Sequence, residues 1–488
     1  MSSFSLFLSY YRPYGFDEIL AMMIASQPNL HSFASAMPAD ASPPLMDLLI
    51  RGMIHLFGPT NVAGRIPSIF AFAAACLFIY LFLRRRCGVS AAYLGMSLLA
   101  SEAGWRYSYE ARPYALLLAF TTLALLCWQR AAERESQRGW ALFGLTVAIA
   151  GAMLTQHLGI VQLGFPILCG EIWRLHRTRH LDLTLYATFL IALPILTLTV
   201  PMMRRSQQGL SYLHAMGVNR LSLPFALHWV SMIATSMNQI LGPSLLLLTV
   251  PLYVAARRKL RGMPVLPKLN FPAAPIPEHE IAAGIGAALL IPLTAIILMP
   301  INNRYDCRYA IGTIAGLAIL GAFSVSRLMP GRKDVSGLMI LLCGLIFANN
   351  VRRAYAMIRP VVFPVFAGVN SQLPVVTVEP FRFYPLWWYG TAAQRDQLYF
   401  VYDPEAPAEI KGVPIFERGR LPMHTETYDE FLTTTPHFIS VFTLPSVVQR
   451  MVKTGFQLTP IGPSNDQTYG VRRLQPKRPL SRAPETAP

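Results

Sequence analysis

Charge is what this chain has least of. Only 14% of its 488 residues are Asp, Glu, Lys or Arg, against about 25% in soluble domains. That shortfall excludes an ordinary water-soluble enzyme. Acidic residues are scarcer than basic ones, 25 against 42, for a net charge of +17. Cysteine is sparse as well. Cys76, Cys87, Cys127, Cys169, Cys307 and Cys343 all precede residue 352 and show no metal-ligand spacing, so neither a disulfide framework nor a zinc site is suggested. The start shows no n-region, h-region and cleavage site of a signal peptide. Apolar residues are abundant, at 53% with a mean hydropathy of +0.40. A chain this apolar does not stay disordered in water.

A bilayer core of about 30 Å needs roughly 17–25 apolar residues in helical form. Ten segments approach this: 65–83, 89–104, 113–128, 140–154, 158–173, 181–203, 239–256, 280–300, 309–327 and 336–351. The expected fold is a polytopic α-helical membrane protein of about 10–11 spans over residues 1–351. Within it, residues 15–64 form an exterior loop carrying interfacial helices. The 27 basic residues of 1–351 are unevenly placed, 17 of them in five short loops at 84–86, 130–138, 174–179, 257–268 and 327–333. By the positive-inside rule those loops are cytoplasmic. The N-terminus, the loops near 104–112, 204–238 and 301–308, and the tail then lie outside. Residues 1–14 are too short to span and carry Arg12. An upstream extension of about 20 apolar residues, ending before the first exterior loop, is therefore expected.

From about residue 372 the pattern changes to short apolar runs. LPVVTVE, LYFVYD and HFISVF read as strands, and YDEFL and PSVVQRMVKTGF as helices, the latter with Val447, Val448, Met451 and Val452 along one side. Residues 352–475 are thus expected to form a small exterior α/β domain. Residues 476–488, rich in Pro, Arg and Ser, read as a disordered tail. FYPLWWYG, with five aromatics, reads as domain core, with sugar stacking or interfacial insertion as alternatives.

The polar residues of the exterior face stand out against this apolar background. Asp17 and Glu18 adjoin an apolar run, where acids also suit a helix start. PPLMDLLIRGMIHLFG (43–58) spaces Leu45, Leu48, Leu49, Met53, Leu56 and Phe57 as an apolar helical face, with Asp47, Arg51 and His55 opposite. It reads as a helix lying in the interface. Glu110 and Arg112 stand among Tyr107, Tyr109 and Tyr114, and His157 sits in TQHLG. NNRYDCRY places Arg304, Asp306 and Arg308 in a tight exterior loop. Arginines there run against the positive-inside bias and call for a specific partner, such as a phosphate.

The order of these motifs carries more than any one of them. A DE pair, PPLMDLLIRGMIHLFG, RIPSIFAFAAACLFIYLFLRRRCG, WRYSYEARPYALL, TQHLG and NRYDCRYAIG follow in succession. Over residues 15–330 this resembles the C-type superfamily of membrane glycosyltransferases, in the branch of protein O-mannosyltransferases and lipid A aminoarabinose transferases. The resemblance implies transfer of a sugar from a polyprenyl phosphate carrier to a lipid, glycan or protein acceptor on the exterior face of the cell inner membrane. It places Asp17 as base or metal contact with Glu18 beside it, and matches Glu110 and Arg112 to the acidic–Ala–Arg loop. It also matches His157 to a polar position after a later helix, and Arg308 and Tyr309 to an RY pair near the carrier phosphate. Catalytic roles are accordingly expected for Asp17, Glu18 and Glu110, and substrate or phosphate contacts for Arg112, His157, Arg304, Arg308 and Tyr309. A divalent cation could bind at Asp17, Glu18 and Glu110; no other cofactor and no nucleic-acid partner is expected.

Two other readings stay open. A transporter of lipid or sugar would place ionisable groups at mid-membrane in inverted repeats, whereas the acids here gather at span ends and no such repeat is visible. A catalytically inactive relative that holds the polyprenyl lipid as a scaffold is the other.

Overall fold

A computed structural model describes residues 1–37, 42–101, 103–133, 137–214, 223–262, 276–298, 305–358, 373–402, 423–441, 445–461 and 468–473. It divides into two compact units, Met1–Pro360 and Val361–Pro488. Arg304 and the expected disordered tail lie outside the described residues.

The first unit is helical throughout. Four short helices lead: α1 (Ser2–Tyr11), α2 (Phe16–Ala25), α3 (Leu30–Ala36) and α4 (Leu45–Phe57). The apolar helices follow: α5 (Ile66–Ser101), α6 (Tyr114–Ala132), α7 (Arg138–Thr155), α8 (Gly159–Thr178), α9 (Leu183–Ala187), α10 (Ala192–His214), α11 (Leu223–Leu260), α12 (Glu278–Ala288), α13 (Leu290–Leu298), α14 (Thr313–Leu328) and α15 (Lys333–Ala356). Among the described residues five helices are long and apolar enough to cross a membrane, or six when α12 and α13, bent by 46°, count as one span. This is a polytopic membrane protein.

Two of the expected spans, 65–83 and 89–104, meet inside α5. The break is Gly88, at φ 74 and ψ −177, a conformation open essentially to glycine alone. The chain folds back there: a Cβ added at Gly95 would fall 2.1 Å from Leu83 Cδ1, and the Tyr80 and Tyr93 rings are 4.9 Å apart. A second glycine brings helices together. A Cβ on Gly316 of α14 would meet the Ala288 nitrogen of α12 at 2.4 Å. In lipid, where apolar burial does not distinguish neighbour from solvent, such small-residue contact favours helix association.

The basic loops at 84–86, 130–138 and 174–179 meet at one end of this bundle, and acids meet them there. Arg85 and Arg86 both pair with Glu133, Arg86 also reaches Glu280 at 2.6 Å, and Gln129 donates to Glu280 at 3.0 Å. Glu171 accepts from Trp128 (2.7 Å), Arg174 (2.6 Å) and Tyr186 (3.0 Å), while Arg138 pairs with Asp182 at 2.5 Å. Glu280 is fully buried and Glu171 nearly so. The scarcity of acids inside the spans therefore holds only away from this end, where buried carboxylates neutralise arginines that sequence counts as topological signals.

Helix α4 turns Asp47 and Arg51 towards the protein. Asp47 and Arg51 are buried at 2% and 7% exposure, whereas Leu48, Leu56 and Phe57 are exposed. Arg51 donates to the Ala25 and Gln27 carbonyls at 3.0 and 2.5 Å and lies 5.2 Å over the Phe33 ring. The polar face thus packs into the protein against the end of α2, and the apolar side points out.

The second unit is a six-stranded sheet, β1 (Val375–Thr377), β2 (Leu398–Tyr402), β3 (His424–Thr427), β4 (His437–Ser440), β5 (Phe456–Pro460) and β6 (Tyr469–Arg473), in the order β3-β2-β1-β4-β6-β5. The first four strands run parallel and β6 lies antiparallel between β4 and β5. The FYPLWWYG segment forms a helix, α16 (Pro380–Tyr389), followed by α17 (Ala392–Asp396). Its Phe383 ring packs 5.3 Å from Phe400. Helices α18 (Tyr428–Thr434) and α19 (Pro445–Lys453) bury Phe431, Leu432, Val447 and Met451 with Val376, Val401 and Phe438 of the sheet. Val452 is exposed, so the apolar side of α19 is narrower than its composition suggests.

Candidate active site

The site is built around the first turn of α2. Gly15 caps this helix by donating its N–H to Glu18 Oε2 at 2.9 Å. Asp17, one residue earlier than Glu18, turns its side chain outward and is 39% exposed. Its Oδ2 stands 3.4 Å from Arg112 Nη2 and 3.4 Å from Arg308 Nη1. The two guanidiniums come from residues far apart in sequence. Arg112 precedes α6 and its carbonyl accepts from Ser68. Arg308 belongs to a 3-10 turn, Cys307–Ala310, capped by Asp306, which accepts the Arg308 N–H at 3.0 Å and pairs with its Nε at 3.2 Å. Both arginines lie 5.7 Å over the Tyr114 ring. Charge-assisted bonds usually measure about 2.7–2.9 Å. At 3.4 Å both pairings with Asp17 are longer than that.

Glu18 is placed quite differently. It is 3% exposed, and both oxygens are engaged: Oε1 by Arg65 Nε at 2.8 Å and the Ala111 N–H at 2.8 Å, Oε2 by Arg65 Nη2 at 3.0 Å and by Gly15. Arg65, itself fully buried, also donates to the carbonyls of Ser9, Arg12 and Pro13 at 3.1, 2.7 and 3.1 Å and lies 4.6 Å over the Tyr14 ring. Burial opposes the Glu18 charge, but the Arg65 guanidinium, with Arg12 and the Gly15 N–H behind it, holds the carboxyl below the usual range. Through Ala111 this clasp sets Arg112 against Asp17.

Residues 41–202 match the family model of dolichyl-phosphate-mannose-protein mannosyltransferases. The whole chain is similar to the crystal structure of ArnT from Cupriavidus metallidurans bound to undecaprenyl phosphate, at a TM-score of 0.60 and 15% identity, over 96% of each chain. The chain thus shares the fold of ArnT, and about a third of it matches that mannosyltransferase family model. The oligosaccharyltransferase of Archaeoglobus fulgidus is also similar, at a TM-score of 0.46 and 12% identity, covering 90% of this chain and 67% of that one. No curated protein sequence matches the chain.

The other expected site residues divide. Glu110 accepts from Arg12 at 3.2 Å and from Arg106 at 2.8 Å, so its partners are arginines other than Arg112. His157 lies half-buried in the turn between α7 and α8. Tyr309 has its ring 5.6 Å from the Arg308 guanidinium, and its carbonyl accepts from Gln162 at 2.6 Å. Asp17, Glu18 and Glu110 are bonded by different arginines, and among the described residues no group of three His, Cys, Asp or Glu could hold a metal ion.

Two residues escaped the sequence reading. Arg65 opens RIPSIF on the exterior side of a span, and the positive-inside bias that drew attention to Arg308 applies equally to it. Gln162 joins α8 to the Arg308 turn by donating to Tyr309 and accepting the Gly312 N–H at 2.8 Å. No motif marks it, since a glutamine inside an apolar helix shows its partner only in three dimensions.

Proposed function

We propose that this protein is a glycosyltransferase that transfers a sugar from a polyprenyl phosphate carrier to an acceptor at the exterior face of the cell membrane, by a single inverting displacement. The observation that carries the reading is Asp17, part-exposed between Arg112 and Arg308. The bound undecaprenyl phosphate of the ArnT structure supports a carrier of this class. The acceptor hydroxyl attacks the anomeric carbon as the bond from that carbon to the phosphate oxygen breaks, and the hydroxyl proton passes to Asp17. The carrier phosphate leaves with increased negative charge, which Arg112 and Arg308 stabilise. Glu18 acts through position: with Arg65 and Ala111 it sets the spacing of Asp17 and Arg112. Glu110 fixes the loop around it through Arg12 and Arg106, and Tyr309 backs Arg308. In this reading residues 352–475 stand outside the membrane.

Asp17→Asn tests the proposal. Volume is kept and the capacity to take a proton is lost, so transfer from a labelled undecaprenyl phosphate sugar to acceptor lipid should fall about 10²–10⁴-fold. Melting in detergent should stay near wild type. Asp334→Asn, exposed and paired with Arg332, is the control and should transfer normally. Transfer by Asp17→Asn at the wild-type rate would remove Asp17 from the chemistry. A wild type that binds donor and never transfers would instead favour the scaffold.

A further inference from the structure

A cavity of about 630 Å³ opens at the arginine-rich end of the bundle, away from Asp17. Its wall includes Trp173, Arg174, Arg177 and His180 from the end of α8 and the residues just beyond it, with Glu278 and His279 from the start of α12. The glycosyl-transfer chemistry proposed above uses none of these residues.

The two arginines are already oriented. Arg174 spends Nε and Nη2 on Glu171, at 2.9 and 2.6 Å. Arg177 spends Nε and Nη2 on Glu278, at 3.1 and 2.7 Å. Each pairing leaves Nη1 for a further acceptor. Trp173 is held by the same carboxylate, its Nε1 donating to Glu278 at 2.9 Å, and is 42% exposed. Just before it on α8, the side chains of Ile172 and, one turn further back, Leu168 are 59% and 54% exposed, an apolar strip leading to the cavity.

We propose that this cavity binds a phosphate group through Arg174, Arg177 and His180, and that the phosphate is the headgroup of an anionic membrane phospholipid. Guanidinium forks match phosphate oxygens. Basic pockets between membrane helices are where anionic headgroups lodge, and an exposed tryptophan beside exposed Leu and Ile marks an interfacial position with acyl chains alongside. Free phosphate has the same polar chemistry without the chains, so the test separates the two sources.

The experiment uses the full-length protein in detergent micelles. Brominated phosphatidylglycerol and brominated phosphatidylcholine are titrated while tryptophan fluorescence is followed, and inorganic phosphate binding is measured by calorimetry. Brominated phosphatidylglycerol should quench the wild type at a concentration at least tenfold lower than phosphatidylcholine does. Trp173→Phe should lose that selective component. Arg177→Gln/His180→Gln should raise the half-quenching concentration at least tenfold, whereas Arg177→Lys should raise it less. Inorganic phosphate that binds the wild type and not the double variant, with no preference between lipids, supports the phosphate site with a soluble source. Equal quenching by both lipids, together with phosphate binding indifferent to the double substitution, overturns the proposal. Arg177 and His180 are exposed, so melting should not change. If the double variant does melt lower, comparison of the two lipids on wild type and Trp173→Phe decides the outcome.

Discussion

Replacing Arg65 by methionine removes the centre of the clasp beneath the site. The guanidinium is fully buried and donates five hydrogen bonds, two to Glu18 and three to the carbonyls of Ser9, Arg12 and Pro13. Methionine fills most of the volume, so the loss is chiefly electrostatic: Glu18 becomes a buried carboxylate with two backbone N–H partners and no cation at bonding distance. Removing one partner of a buried pair costs about 3–5 kcal/mol, at the upper end of single substitutions. Glu18→Gln leaves Arg65 buried with its three carbonyls, and should cost less. Combining Arg65→Met with Glu18→Gln should cost less than the sum of the two, because no buried charge is then left without its partner. Melting of the purified protein in detergent measures stability, and sugar transfer on the same preparations measures the site. Transfer should fall in all three variants along with stability, in contrast to Asp17→Asn. An Arg65→Met protein that melts like the wild type would refute the argument, as would strict additivity in the double variant.

Other expectations follow from the same contacts. Arg308→Lys keeps charge and loses the planar fork, so transfer should fall about tenfold, the equivalent of one contact of about 1.4 kcal/mol; a rate equal to the wild type counts against phosphate contact there. Glu18 titrates lower folded than unfolded, so its charge stabilises the fold fully above its unfolded value of about 4.3 and ceases to do so as pH falls through the lower folded value. The melting temperature of the wild type should thus drop more steeply below about pH 4.5 than that of Glu18→Gln, and parallel slopes would contradict this. For orientation, an impermeant thiol reagent applied to intact cells in a background lacking the native cysteines should label Thr433→Cys and spare Gln137→Cys; the reverse pattern inverts the map.

The helices of the first unit were legible because a span needs a long apolar run and almost nothing else does. The partners of the polar face of α4 were not. An apolar stripe opposite Asp47 and Arg51 means an inward apolar face only when the surroundings are water. At a membrane the preference is reversed, and here the polar residues seek the Ala25 and Gln27 carbonyls while Leu48, Leu56 and Phe57 face out. The hairpin at Gly88 was half legible: two runs and an arginine trio between them predict a reversal, but the backbone conformation of one glycine accomplishes it. In the second unit the hydrophobic runs 375–377, 398–402 and 437–440 announced themselves, whereas β3 reads HTET and β5 reads FQLTP. Those are sheet-edge strands with few buried side chains, and they are defined by pairing rather than by composition.

The DE pair shows most clearly what the sequence could and could not decide. Successive residues on a helix point about 100° apart and do not face one another, so Asp17 and Glu18 in the first turn of α2 cannot both close on the same atom. One must turn towards the protein, the other towards the open site. An inward carboxylate needs a buried cation and several donors to remain charged, and which acid receives them depends on a residue 47 positions later, Arg65, and on the Ala111 N–H. Once those partners go to Glu18, Asp17 is left part-exposed between Arg112 and Arg308. The conservative exchange Glu18→Asp sharpens the point. It keeps the charge and shortens the reach by one methylene, so Arg65 and Ala111 cannot both be met. Stability should therefore fall, and transfer with it, while the acid group at position 17 is untouched. If Glu18→Asp retains stability and loses only transfer, Glu18 takes part in the chemistry itself and the division between the two acids is wrong.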